Sequence, residues 1–442
     1  MTSSTSTSCY CQDTTLKPRR GVDSREKRDP VEYQGVPPEL WLYSFYFLQY
    51  DKLDLTNLTL VSKSFAALAQ PLIFQNIIIR PECAQHPRSG RLMCRTDCSE
   101  WVTERMNFCT QARIANAVSM IEFSPTINYA RRENNSTEVA IVSDMVMRTL
   151  PLFPHLRSFR CAHLILHSHH LCTLSGMTNL RSFHATNCHL SDHSHDHTHE
   201  NPMEEFTMAW QGNTASLLGV TLSPSSHQRW FSFLHPDHLH TLNLTPLDPF
   251  LDRMLADLVD RDVKFHVLRS LGLPWMAVES KSFVPLLERL PILQELLFTV
   301  RSCHRAVIMD RPLPRHVLQN LSVLGAPSHA LPFLLENKSP RELSCAAVRD
   351  CGSLPTDIIG AFHGLPQKTL WKLEKLTLDM KCLSDELLDC LVRRVPRITT
   401  LSLEVRGTAW GPTPGSLESH TTKVPLAVIT PTHELTPRIS FF

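Results

Sequence analysis

The chain has 442 residues, and its 44 Lys and Arg residues nearly balance 43 Asp and Glu residues, giving a net charge of +1. This balance gives no electrostatic basis for nucleic-acid binding, which usually needs a clear basic excess. The length exceeds that of one ordinary core, so several units or a repeat array are expected. With 14 glycines against 31 prolines, the composition also disfavours glycine-rich phosphate loops.

Residues 1–34 are rich in Ser, Thr and charged side chains and lack apolar periodicity, so they are predicted to be a disordered tail. The basic run 17–28 is a nuclear address or simply a solvated charge run. No apolar signal segment and no run of about 18 apolar residues is visible, which predicts a cytoplasmic and/or nuclear protein. In such a reducing compartment most of the 14 cysteines are expected to be buried thiols.

Residues 35–80 carry the densest apolar signal and are predicted to form two or three short helices. Pro37-Pro38-Glu39 suits a helix start, and Trp41, Phe45 and Leu48 recur on one helical face. A second run follows at intervals of 3 or 4 residues, with Asp54 placed to cap it; its apolar members are Leu58, Val61, Phe65, Leu68 and Leu72. So short a module needs a partner or a neighbouring domain for stability.

This segment resembles an F-box, closest to fungal versions. The resemblance rests on Val36-Pro37-Pro38-Glu39-Leu40-Trp41, then Phe45 and Leu48, then Asp54-Leu55 and Leu58, then Leu60-Val61-Ser62-Lys63-Ser64-Phe65. It implies a substrate receptor of an SCF-type cullin–RING ubiquitin ligase, in which this module docks on a Skp-type adaptor and thereby on a cullin. The adaptor-binding residues that it implies are Pro37, Leu40, Phe45, Leu48, Leu55, Leu58, Val61 and Lys63. Val36 and Ser44 depart from the usual pattern, and a plain helical lid is the competing interpretation.

After a polar connector over 81–115, residues 116–406 contain a hexamer that is apolar at positions 1, 4 and 6 in nearly every copy. It begins at Val118, Leu156, Leu180, Leu217, Leu239, Leu268, Leu293, Leu318, Pro340, Leu373 and Ile398. Intervals of 22 to 29 residues dominate, and a proline before several copies ends the preceding helix. The predicted fold class is therefore α/β, a short N-terminal helical F-box module followed by a leucine-rich-repeat solenoid. Residues 407–442 lose the pattern and are expected to be an irregular tail or cap.

In each predicted strand, positions 4 and 6 face the core and positions 3 and 5 face the other side. The exposed positions would line one surface, mixed in charge, that suits a protein ligand better than nucleic acid or a membrane. The candidate substrate-binding residues on it are Arg160, His184, Glu295, Leu297 and Lys375. Leu297 is an apolar side chain where solvent is expected, so it is either a binding anchor or covered by a loop or the C-terminal tail.

Three other features favour no chemistry of their own. His193, His195, His197 and His199 alternate with Asp and Ser in an inserted loop, a pattern that fixes no metal geometry. Cys83, Cys94, Cys98 and Cys109 lack the paired spacing of structural zinc, so thiols are predicted. No GxSxG, HExxH, GxxxxGK[ST] or GxGxxG motif occurs. We therefore predict no metal, no cofactor and no catalytic residue.

Two functions remain open at this point. The first is the non-catalytic substrate-recognition subunit of an SCF-type ubiquitin ligase, with an unknown protein substrate. The alternative is a leucine-rich-repeat protein-binding scaffold without a ubiquitin link, whose N-terminal helices are a cap. An enzyme in the irregular C-terminal half is a more distant third. Adaptor binding by residues 30–75 separates the first two.

Overall fold

The computed structural model describes the residues 36–48, 51–86, 92–127, 136–190, 203–210, 230–231, 234–245, 248–260, 264–299, 313–314, 316–335, 343–349, 354–405 and 422–423. The chain divides into two compact units, Met1–Ala69 and Gln70–Phe442. The first unit is helical where it is described, and the second contains all of the described strands.

Three helices form the described part of the first unit: α1 (Pro38–Phe47), α2 (Lys52–Thr59) and α3 (Lys63–Phe74), the last of which runs on into the second unit. Asp51 caps α2 by accepting hydrogen bonds from the backbone N–H groups of Leu53 and Asp54, both at 3.1 Å. The predicted cap at Asp54 is therefore wrong, because α2 begins two residues before it. Trp41, Phe45 and Phe65 form an aromatic core, with the ring of Phe65 4.9 Å from Trp41 and 5.2 Å from Phe45.

A thirteen-stranded sheet dominates the second unit, with its strands almost in chain order. They are β1 (Asn76–Ile79), β4 (Met120–Phe123), β7 (Ser158–Ala162), β9 (Ser182–Thr186), β11 (Glu205–Ala209), β12 (Thr241–Thr245), β13 (Ser270–Pro274), β14 (Glu295–Thr299), β15 (Val323–Ala326), β16 (Cys345–Arg349), β17 (Lys375–Met380), β18 (Thr400–Val405) and β19 (Thr422–Lys423). Neighbouring strands from β1 to β18 are parallel, and only β19 is antiparallel.

The strands stay in register because one carbonyl at each strand start serves two N–H groups of the next strand. The carbonyl of Ser119 accepts from Arg157 and Ser158, and that of Arg157 accepts from Arg181 and Ser182; the same arrangement recurs along the sheet. Position 4 is buried in every described copy and position 6 in most of them, with Val323, Cys345 and Leu403 half-buried. The rings of Phe159 and Phe183 stack 5.9 Å apart. Burial of these residues holds the strand layer against the connecting segments.

The predicted fold class, a short helical F-box module followed by a leucine-rich-repeat solenoid, is wrong. The structure is an α/β fold with one large sheet in which twelve strands are parallel and helices connect many of them. The hexamer pattern specifies only the strands. Between them the chain forms anything from the 13-residue helix Asp248–Asp260 to a 5-residue helix after a 3₁₀ turn, and apolar spacing does not encode these unequal connections.

The hexamers nevertheless locate most strands. The copies at Val118, Leu156, Leu180, Leu239, Leu268, Leu293, Leu373 and Ile398 each have a strand that begins at their third residue. In the copies at Leu318 and Pro340 the strand begins three residues later than the pattern predicts. It begins at Val323, which pairs with Glu295, and at Cys345, which pairs with Lys375. Asn320 and Ser322 are the third and fifth residues of the Leu318 copy, which the pattern predicts to be exposed on a strand, and they consequently precede the strand. The copy at Leu217 lies outside the described residues.

The remaining elements connect or flank the sheet. The further helices are α4 (Thr96–Cys109), α5 (Ala112–Ala115), α6 (Val139–Thr149), α7 (Ser168–Ser175), α8 (Asp248–Asp260), α9 (Phe283–Glu288), α10 (Leu331–Leu335), α11 (Pro355–Gly364), α12 (Gln367–Leu370) and α13 (Asp385–Arg394). The further strands are β2 (Glu82–Gln85), β3 (Leu92–Arg95), β5 (Thr126–Ile127), β6 (Ser136–Glu138), β8 (Ile165–Leu166) and β10 (His189–Leu190). None of the helices in the described ranges has the length and apolar character needed to span a bilayer.

Candidate functional site

The helices of the first unit present an apolar patch, which we call the N-terminal patch. Its large side chains are between 42% and 81% exposed within the chain. The members are Val36, Leu40, Leu42, Tyr43, Tyr46, Phe47, Leu53, Leu60 and Val61. Tyr43 and Phe47 pack edge to face on α1, with ring centroids 5.1 Å apart. So many large apolar side chains exposed on so short a segment are typical of a protein-binding region.

The residues predicted to bind an adaptor divide into two groups. Pro37, Leu40, Val61 and Lys63 are exposed, and Leu48 and Leu58 are half-buried. Phe45 and Leu55 are only 2% and 0% exposed, so they support the helices from inside. Sequence reasoning missed Tyr43, Phe47, Leu53 and Leu60 as exposed members of the patch. A signal was present for Tyr43 and Phe47, because they lie off the face of α1 that holds Trp41 and Phe45.

The outward-facing residues of the large sheet form a second candidate surface. Strand pairing aligns eleven of them in what we call the central row: Glu122, Arg160, His184, Thr207, Asn243, Gly272, Leu297, Gly325, Ala347, Thr377 and Ser402. Of the predicted substrate-binding residues, Arg160, His184 and Leu297 lie in this row. Glu295 and Lys375 lie two residues earlier on β14 and β17, in the adjacent row. Arg160 and Lys375 are exposed, and the other three are half-buried.

A hydrogen-bond network lies on the sheet face beside Arg160. The Ser182 hydroxyl donates to Glu205 Oε2 at 2.8 Å, and His184 Nε2 lies 2.8 Å from the same hydroxyl oxygen. Because the single Oγ proton goes to Glu205, His184 Nε2–H must be the donor to Ser182. The pKa of Glu205 is lowered chiefly by His184, whose Nε2 lies 3.6 Å from Glu205 Oε1, and also by the hydrogen bond from Ser182.

The central row changes from charged and polar residues to small and apolar residues around Leu297. Its register partners on the two neighbouring strands are Gly272 and Gly325, neither of which has a side chain. Asn243 leans over Gly272, since a Cβ built at Gly272 would lie 2.1 Å from Asn243 Oδ1. Beyond Gly325 the row continues with Ala347. Leu297 is thus the one large apolar side chain of the row between Asn243 and Ala347.

A carboxylate and two histidines meet between α6 and α7, as the one group of metal-ligand type in the part of the chain that the structure describes. Asp144 Oδ1 lies 2.9 Å from His169 Nε2 and 3.1 Å from His170 Nε2, while Arg148 binds the other oxygen at 2.7 Å. Burial alone would raise the pKa of Asp144, but the hydrogen bonds from His169 and His170 outweigh it and lower that pKa. His170 is 1% exposed, and burial lowers its pKa to about 4 despite the hydrogen bond to Asp144.

The tautomer of His170 argues against a metal at this cluster. The backbone N–H of His167 donates to His170 Nδ1 at 3.2 Å, so Nδ1 carries the lone pair. In the neutral ring the proton is then on Nε2, where it is donated to Asp144 and blocks ligation. A metal-bound histidine normally donates from the nitrogen that does not bind the ion. The cluster is better described as a hydrogen-bonded link between two helices.

The connector cysteines resemble structural thiols more than metal ligands. Cys83 and Cys94 are paired across β2 and β3, and both are buried. The hydrogen bond between them and burial raise the pKa of Cys83, and burial raises that of Cys109. Both effects favour the protonated thiol over the thiolate that a metal requires. The predicted histidine loop, with His193 to His199, lies outside the described residues.

Comparison with known proteins adds no further assignment. No protein-family model matches this sequence, and no curated protein is similar to it.

Proposed function

We propose that the chain is the substrate-recognition subunit of an SCF-type cullin–RING ubiquitin ligase. In this proposal the N-terminal helices dock on a Skp-type adaptor and through it on a cullin. The large sheet offers its outward face to the target protein. The ubiquitin-transfer chemistry belongs to partner subunits, so this chain contributes binding and no catalytic group.

The N-terminal patch is the observation that supports this proposal. Leu40, Leu53 and Val61 are 56%, 71% and 60% exposed, and they belong to the segment with the densest apolar signal of the chain. Burying one leucine or valine against a partner contributes about 1.5–3 kcal/mol. The patch coincides with the F-box-like pattern from Val36 to Phe65, so exposure and resemblance point to the same surface.

The test is direct binding of the full chain to a recombinant Skp-type adaptor, measured by titration calorimetry. Leu40→Asp with Val61→Asp should weaken binding by about 100-fold or more, since the loss of two apolar contacts removes about 3 kcal/mol or more. Ile141→Asp is the matched control, because Ile141 is 63% exposed but lies on α6 in the second unit. The control should bind the adaptor normally.

Circular dichroism of each variant separates lost binding from lost folding. An intact chain that does not bind the adaptor would refute the proposal. The protein would then be a binding scaffold without a ubiquitin link.

A further inference from the structure

The charged end of the central row carries an exposed arginine, Arg160, whose positive charge helps to lower the pKa of Glu205. The neighbouring carboxylates are already engaged: Glu122 pairs with Arg80 at 2.9 Å, and Glu205 accepts from Ser182 at 2.8 Å. Arg160 is exposed between them and forms no salt bridge with any described residue. Its register neighbour His184 uses Nε2 within the Ser182 network. An anionic group from outside the chain would complete this end of the row.

In the part of the central row that runs from Arg160 to Leu297, the Leu297 end is apolar. Leu297 stands half-buried between its register partners Gly272 and Gly325, which are both buried. Because Asn243 lies over Gly272, a partner side chain reaches Leu297 from the outward side of the sheet. Thr207 and Asn243 lie between the two ends; the Asn243 amide donates to Thr207 Oγ1 at 3.4 Å. These small polar groups suit contact with an extended backbone more than with a bulky folded surface.

The register fixes how far apart the two ends are. From β7 to β14 there are five steps between neighbouring strands. At about 4.8 Å a step this is about 24 Å, which an extended chain covers in about seven residues.

We propose that the central row binds an extended segment of a partner protein, with an acidic side chain on Arg160 and an apolar side chain about seven residues away on Leu297. The inference rests on the proposed function, for which it names the class of target segment. A carboxylate is the natural partner of an arginine fork at a surface that carries both signs of charge. Recognition then depends on the spacing of the two side chains as well as on their chemistry.

The test is selection from a random 12-residue peptide library displayed on phage, with the full chain as bait. Enriched peptides should contain an acidic and an apolar residue about seven positions apart. Binding of an enriched synthetic peptide should fall at least tenfold with Arg160→Glu and at least tenfold with Leu297→Asp. Arg160→Lys should retain part of the affinity, whereas Arg113→Glu, at an exposed arginine on α5, should have no effect.

Two outcomes would overturn the inference. One is that no peptide is enriched; the other is that enriched peptides lack the acidic residue or ignore both substitutions at the row. Adaptor binding is measured in parallel for every variant. Because it depends on the N-terminal patch, failure of the peptide test with intact adaptor binding would leave the proposed function standing.

Discussion

Acidification is expected to weaken the folded protein through His170. The folded state holds the neutral ring, because Nδ1 accepts from the His167 backbone and Nε2 donates to Asp144. Burial lowers the pKa of His170 to about 4, whereas an unfolded histidine titrates near 6.5. The unfolded chain therefore takes up the proton first. The contribution of His170 to stability is complete above about pH 6.5 and is lost as the pH falls towards 4.

The size of the effect follows from the difference in pKa. One pKa unit corresponds to about 1.36 kcal/mol, so lowering the pH from 7.5 to 5 removes about 2 kcal/mol through this residue. Urea unfolding of the wild type and of His170→Gln, followed by circular dichroism at both pH values, measures this loss. The variant should lose about 2 kcal/mol less than the wild type over the same interval.

His155→Gln provides the matched control, because His155 is exposed near the start of β7. Its pH dependence should equal that of the wild type. Parallel stability curves for the wild type and His170→Gln would refute the reasoning. They would mean that His170 takes up a proton as readily in the folded state as in the unfolded chain.

Three substitutions test the packing that positions the two surfaces. Phe45→Ala should destabilise the first unit by about 3–5 kcal/mol, measured as loss of helical signal and faster proteolysis of the N-terminal helices. Gly272→Ala should cost about 1–3 kcal/mol because its Cβ would collide with Asn243, and adding Asn243→Ala should recover most of this in urea unfolding. Arg394→Met should cost about 1.5–3 kcal/mol in thermal unfolding, because the guanidinium bonds three carbonyls at the end of α11.

Control substitutions at nearby positions should have much smaller effects on stability. Leu53→Ala changes a side chain that is 71% exposed and should barely affect stability. Arg393→Met removes an ion pair with Asp389 at 3.9 Å, in which the arginine side chain is 80% exposed. Loss of so exposed a pair should lower stability by less than about 1 kcal/mol. Equal losses at positions 393 and 394 would contradict the capping role of Arg394. If the losses of stability from Gly272→Ala and Asn243→Ala simply added in the double variant, the predicted collision would be contradicted.

The strands of the large sheet could be predicted from the sequence because alternation is a local property. In Leu156 to Cys161, apolar residues at positions 1, 4 and 6 require an extended chain with one buried face, and β7 forms there. The same logic placed Arg160 and Leu297 on the outward face, where the structure has them. The prediction failed at Leu318, because the hexamers that start at Leu318 and at Leu321 are equally apolar and only the second one matches the strand. Only pairing with β14 selects between the two frames.

The partners of each residue were decided by the tertiary structure. The sequence suggested helices from Pro38 to Leu72, but which apolar residues became core depended on the packing of Trp41, Phe45 and Phe65. That packing left Tyr43, Phe47 and Leu53 exposed in the N-terminal patch. The hydrogen-bonded link between His170 and Asp144, 26 residues apart, had no local pattern either. Periodicity records which face of a segment is apolar, whereas the neighbour that covers the face is set only when distant segments meet.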